Sequence, residues 1–252
     1  MINKIFFIIL LVLPFVSISK NIAKEESADG IKEITVVTAE WRDYTLGGKG
    51  LYIDLLKEVF ESEGIKVVVV LQPYKRATQE FLVQKKFDAL LGSYAESRVI
   101  VPKYYLGNDK LTIAYNKNKV KKWNGINDLK DKIVAWEGGY GLDRYGIIKV
   151  PVKVFEISDI ESAIKMLARE RIDYIIDYPQ MNDIIKKLNL TNKIECKINI
   201  IQGPNSHIGF HDNARGRKLI EIWDRKMDQL FKSKRLQKMY QNISDDSYDS
   251  YP

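Results

Sequence analysis

Apolar positions along this chain fall into two alternating spacings. Short unbroken runs occupy 33–38 (EITVVT), 66–71 (KVVVVL), 87–91, 132–136 (KIVAW), 152–155 and 171–176 (RIDYII). Runs of this length, bounded by charged or turn residues, read as strands buried on both faces of a parallel sheet. Between them, apolar residues recur at helical spacing. Leu51, Leu55, Leu56, Val59 and Phe60 give one face over 51–63, with Gly64 as its stop. Ala77, Phe81 and Leu82 form the inner face of a helix opened by Pro73-Tyr74-Lys75-Arg76. Ile160, Ala163, Ile164, Leu167 and Ala168 line another, capped by Ser158 or Asp159, and Met181, Ile184, Ile185 and Leu188 one more. A long amphipathic helix over 213–231 turns Leu219, Ile222, Trp223, Met227 and Leu230 inward, and a shorter one runs through Leu236, Met239 and Tyr240.

Strand, helix, strand, helix, strand therefore occurs twice, which predicts an α/β protein of two lobes, each a doubly wound, mostly parallel sheet with flanking helices. The first lobe is assigned to 33–115 and 207–243, the second to 116–206. A strand at 111–115 leads into a polar crossing near 115–119. A turn-rich crossing near 200–206 (IIQGPNS) leads back, with a returning strand at 207–210. The glycine-rich 137–141 is expected to enter a helix. Two lobes on two hinge crossings make a clamshell that can close over a ligand.

The termini depart from this pattern. Lys4 precedes an apolar run at 5–16 and then Ser17-Ile18-Ser19, the form of a secretory signal peptide at 1–19; the run is too short for a comfortable membrane span. A polar tether follows at 20–32, and 244–252 is a polar tail. Export predicts a periplasmic protein. Hydrophobic content of 45% with 29% charge excludes a disordered chain. The net charge of +7 is spread among alternating signs, which reads as solvated surface and not as a nucleic-acid site. With Cys196 as its single cysteine the chain forms no internal disulfide, and Cys196 reads as a small buried hydrophobe.

Candidate chemistry sits beyond the strand ends, where open α/β sheets bind ligands. After 87–91 come Gly92, Ser93 and Arg98; after 171–176 comes Asp177. Trp41, Tyr44 and Tyr74 also follow strand ends, whereas Trp136 and Trp223 read as core. Gly139 and Tyr140 belong to the glycine loop of the second lobe. His207 and His211 lack a third ligand nearby, so no metal is expected. No Gly-x-Ser-x-Gly elbow or phosphate-binding glycine pattern is present, and no cofactor is expected.

Four stretches carry a resemblance: Gly50-Leu51-Tyr52-Ile53-Asp54; Lys86-Phe87-Asp88-Ala89 onward to Arg98; Asn127-Asp128-Leu129-Lys130-Asp131-Lys132-Ile133-Val134; and Arg171-Ile172-Asp173-Tyr174-Ile175-Ile176-Asp177. In order and spacing the chain resembles the bacterial extracellular solute-binding proteins of family 3, periplasmic polar-amino-acid binders of ABC transporters, over roughly 34–243. The resemblance implies a non-catalytic, type II periplasmic-binding fold. It implies a ligand carboxylate on Arg98, a ligand ammonium on Asp177, a hydrogen bond from Ser93, and Trp41, Tyr44 and Tyr74 closing over the ligand. Backbone N–H groups after Gly138-Gly139 offer a further anion contact. Ala95, Tyr52 and Tyr140 depart from the family pattern, which leaves a small carboxylated solute, an amino acid or close analogue, as the expected ligand. An inner-membrane ABC permease is the expected partner, with a membrane sensor as the alternative. A dehydratase-like enzyme on the same scaffold, using Glu40, Glu137 or Asp177, is the other alternative.

Overall fold

The protein is seen in a computed structural model that describes residues 30–96 and 98–243. The signal peptide expected at 1–19, most of the tether and the 244–252 tail lie outside the described residues. The apolar runs form strands β1 (Glu33–Thr38), β2 (Lys66–Leu71), β3 (Ala89–Ser93), β5 (Ile133–Glu137), β6 (Lys153–Ile157) and β7 (Tyr174–Asp177). Two longer strands, β4 (Gly107–Asn116) and β8 (Ile194–Phe210), run between them. The order is β2-β1-β3-β8-β4-β7-β5-β6 in one eight-stranded sheet.

Each half has a parallel core. In the first, β1 pairs with β2 and β3; in the second, β5 pairs with β6 and β7. Antiparallel pairing joins the halves: β8 lies against β3 at its far end and against β4 along most of its length, and β4 lies against β7.

The stripes become α1 (Leu51–Phe60), α2 (Tyr74–Leu82), α3 (Ile160–Ala168), α4 (Met181–Lys187), α5 (Ala214–Lys232) and α6 (Arg235–Gln241). Beyond α1 a single 3-10 turn ends at Gly64, whose φ of 74° is left-handed and suits glycine. Asp159, not Ser158, caps α3, accepting from the amides of Glu161 and Ser162; Asn213 caps α5. Leu55, Leu56, Val59, Phe60, Leu219, Trp223 and Met227 are all fully buried between α1, α5 and the first-half sheet. A second cluster packs α3 and α4 on the second half through Ile164, Leu167, Ile175 and Ile185. A third draws on both halves, from Val37 and Phe81 to Trp136 and Ile176. Asp88 stitches the first half: it accepts from the amide and hydroxyl of Thr35 and pairs with Arg215.

Two segments differ from the sequence-based expectation. Residues 200–206, expected as a turn-rich crossing, are extended within β8. Pairing jumps from Asn108 opposite Asn205 to Lys110 opposite Gln202, so Gly203 and Pro204 together face Asp109 in a bulge. A bulge is where a strand tolerates proline, since no ladder donor is needed there. A Cβ on Gly203 would stand 2.8 Å from the Asp109 Cβ, so the close approach requires glycine. The same pairing extends β4 back to Gly107, through polar residues that no apolar run marks. The second difference follows the glycine loop, where residues 142–150 form turns instead of a helix. Gly146, at φ 68°, and the β-branched Ile147, Ile148 and Val150 interrupt any helical run there.

Trp223 tests the first-half core. It is fully buried, its indole N–H donates to the Tyr104 carbonyl at 2.8 Å, and its ring lies 6.1 Å from Phe60. Trp223→Ala is expected to cost about 3–5 kcal/mol, read as a lowered guanidinium midpoint with the slope unchanged.

Candidate ligand-binding cleft

Where the strand ends of the two halves face each other, they enclose a cavity of about 720 Å³. The loop after β1 supplies one wall. The Thr45 hydroxyl accepts from the Trp41 amide at 2.8 Å and donates to the Ala39 carbonyl at 2.7 Å, which fixes this loop. Gly50, at φ 112°, lets α1 start directly under it; a Cβ there would meet the Asp43 carbonyl oxygen at 2.6 Å. Trp41 then crosses Gly92, where a Cβ would lie 2.5 Å from the Trp41 ring, and Tyr74 donates its hydroxyl to the Gly92 carbonyl at 2.7 Å. The Trp41 and Tyr74 rings are 5.5 Å apart. Among the described residues the buried Trp41 indole N–H has no acceptor.

The facing wall comes from the ends of β5 and β7. Tyr140 stands edge-on to Tyr74 at 5.9 Å and to Tyr178 at 6.0 Å. Asp177 accepts from the Tyr178 amide at 2.8 Å, and Glu137 lies close to the Tyr140 hydroxyl and to the backbone of Tyr74 at the start of α2. Where β4 and β8 join the halves, the β8 bulge faces Asp109, which accepts from the Tyr94 hydroxyl at 2.5 Å; Tyr94 meets Tyr145 edge-on at 4.9 Å. Ion pairs also span the halves: Lys75 to Glu156 at 2.6 Å and Arg42 to Asp183 at 3.2 Å. Both pairs are well exposed, so each contributes about 0–1 kcal/mol.

Burial governs the electrostatics. It pushes the Asp177 carboxyl up to about 7, with neighbouring Glu137 adding to the effect, and it raises Glu137 as well. Tyr94, Tyr140 and Tyr178 are driven well above the usual phenol range by burial and by nearby carboxylates. They remain neutral donors at any working pH.

Six of the residues expected to touch a ligand line this cavity, Trp41, Tyr44, Tyr74, Gly92, Tyr140 and Asp177, as do Glu40 and Glu137, named for the enzyme alternative. Arg98, Ser93 and Gly139 are not among its lining. The Arg98 side chain is 52% exposed and turned onto Glu96, with one guanidinium nitrogen 2.9 Å from both carboxylate oxygens. Ser93 is buried, its hydroxyl donating to the Leu90 carbonyl at 3.4 Å and packing on Gly209; a bulge at Gly92, whose φ is 81°, breaks the regular alternation of β3 here. Gly139 packs its backbone on Lys75 and donates to Glu156 at 3.4 Å. With no helix after it, no helix N-terminus is presented there. Lining residues that the sequence reading did not select include Tyr94, Asp109, Tyr145 and Tyr178. Tyr178 adjoins Asp177 at a strand end and carried a signal; Asp109 depends on the bulge and carried none.

No protein-family model matches the chain, and no curated protein matches it in sequence. Solved structures do match. An ancestral arginine-binding protein bound to arginine superposes with TM-score 0.64 at 18% identity, over 84% of this chain and 97% of its own. The GluR0 ligand-binding core from Nostoc punctiforme, in complex with L-glutamate, gives 0.62 at 18% identity, over 83% and 98%. A histidine kinase sensor domain with similarity to periplasmic binding proteins gives 0.64 at 18%, over 83% and 95%. The fold is that of the two-lobed periplasmic binding proteins. At such identities the likeness establishes the fold and leaves the ligand to the chemistry of the cleft. Among the described residues no helix is long and apolar enough to cross a membrane.

Asp177 sets a pH dependence. An unfolded aspartate ionises near 4, so between about 4 and 7 the folded, closed protein holds the proton more tightly than the unfolded chain. Stability of the empty protein therefore falls as pH rises through that window and levels off above it. Asp177→Asn is expected to melt higher than the parent at pH 8, by up to about 4 kcal/mol, with the gap closing towards pH 4. Melting curves of both proteins across pH 4–8 check this.

Proposed function

We propose that this protein is an exported solute receptor that captures a small amine-bearing solute by closing its halves, and hands it to an ABC transporter in the membrane. The observation that carries the reading is the buried Asp177 carboxylate at the end of β7, facing the Trp41 and Tyr74 wall of the other half. An ammonium placed between them gains its counter-charge from one half and its aromatic contacts from the other, so the ligand favours the closed state. The neighbours point the same way: they include binding proteins in complex with arginine, glutamate and histidine. The basic start and apolar run at 4–16 support export. A histidine kinase sensor domain among the neighbours supports a second destination, a membrane signalling partner, for the same capture step.

The proposed site leaves Arg98 out, because its side chain is not part of the cavity lining and two of its guanidinium nitrogens are engaged by Glu96. Purification from the periplasm without denaturant, followed by mass analysis of the released small molecules, tests the reading. One amine per chain, returned unchanged after incubation, is the expected result. Asp177→Asn is expected to carry little or none, and Arg98→Ala to carry the parental amount. A protein that carries no small molecule, or that consumes the one it carries, overturns the receptor reading.

A further inference from the structure

We infer that the solute is an organic cation without a carboxylate, its ammonium held by Asp177 and its body enclosed by the tyrosine-rich walls. This rests on the receptor reading above and narrows its ligand class. The charges lining the cavity are unequal: Glu40, Asp109, Glu137 and Asp177 on one side of the balance, Arg42 and Lys110 on the other. Arg42 is half exposed and ion-paired with Asp183, and Lys110 is itself engaged by neighbouring groups. Among the described residues no basic side chain pairs with Asp177 or with Glu137. A zwitterion would bring its own carboxylate into this cleft, and a buried carboxylate needs a cation or several donors to pay for its desolvation. The side chain expected to supply that cation, Arg98, is not part of the cavity lining; it is half exposed, with its Nε and one terminal nitrogen engaged by Glu96.

The walls select in the same direction. Trp41, Tyr74, Tyr140 and Tyr178 form a connected set of rings, whose faces attract a desolvated cation and whose phenol oxygens accept its N–H groups. These phenols stay un-ionised, so they add polarity without competing charge. Asp177, raised by burial in the empty cleft, releases its proton when a cation arrives. Cation affinity should therefore rise with pH until about 7 and flatten above it.

Titration calorimetry and thermal melting of the protein test this with three sets of probes. The cations are butane-1,4-diamine, phenethylamine and tetramethylammonium; the zwitterions are arginine, glutamine, histidine and glutamate; the acid is glutarate. The expected result is a raised melting temperature with at least one cation, and none with glutamine, glutamate or glutarate. The dissociation constant of that cation should rise about tenfold per pH unit below pH 6, and stay level between pH 8 and 9. Asp177→Asn should weaken it at least about tenfold, the size of one charge-assisted hydrogen bond, and Arg98→Ala by less than about twofold. Tighter binding of any zwitterion than of every cation overturns the inference while leaving the receptor reading intact. So does an Arg98→Ala loss as large as that of Asp177→Asn. Silence to all three cations also overturns it, and the native-ligand analysis then decides the receptor reading separately.

Discussion

The antiparallel pairing of β4 with β8 is the constraint on which the rest of this structure depends. At one end β8 passes on to β3 and so to the parallel core of the first half. Along the other edge β4 passes on to β7 and the parallel core of the second. One continuous sheet results, yet the parallel units are separately packed by their own helices. The bulge at Gly203 and Pro204 adds twist where the halves join and points Asp109 at the space between them. The join between the halves and the lining of the cavity thus share the same few residues.

The cleft itself is built by desolvation more than by ion pairing. Its spanning salt bridges sit at the rim, where water screens them. Inside, carboxylates lie beside phenols and indole with little positive charge to neutralise them. Burial raises the Asp177 carboxyl to about 7, well above the range of an exposed aspartate.

Much of this was legible in the residues. Unbroken apolar runs and helical stripes placed β1 to β3, β5 to β7 and every labelled helix to within a few residues, because burial on both faces leaves a strong pattern. Residues 200–206 were not legible: Gly-Pro-Asn-Ser is turn chemistry, and only the partner strand makes a bulge of it. In the candidate site, position beyond a strand end was enough to bring Trp41, Tyr74 and Asp177 to the cavity. The direction of a side chain was harder. Arg98 is turned by Glu96, two residues away, a competition invisible to strand-end reasoning. Ser93 is different: the pairing of β3 with β8 shifts between Leu91 and Ser93, and that bulge, which depends on the partner strand, decides where the hydroxyl lies.

The placement of the tryptophans gives the molecule a built-in optical reporter. Trp136 and Trp223 are wholly enclosed in cores, and Trp123 packs against Tyr174 away from the cavity. Trp41 alone of these lines the space between the halves, pressed on Gly92 with its indole N–H unpaired. Separation of the halves would hydrate that ring and shift its emission to the red, whereas Trp223 sits in the core of the first half alone. The red edge of the unlabelled protein's fluorescence would therefore report on the space between the halves, with Trp41 as the cavity-lining contributor.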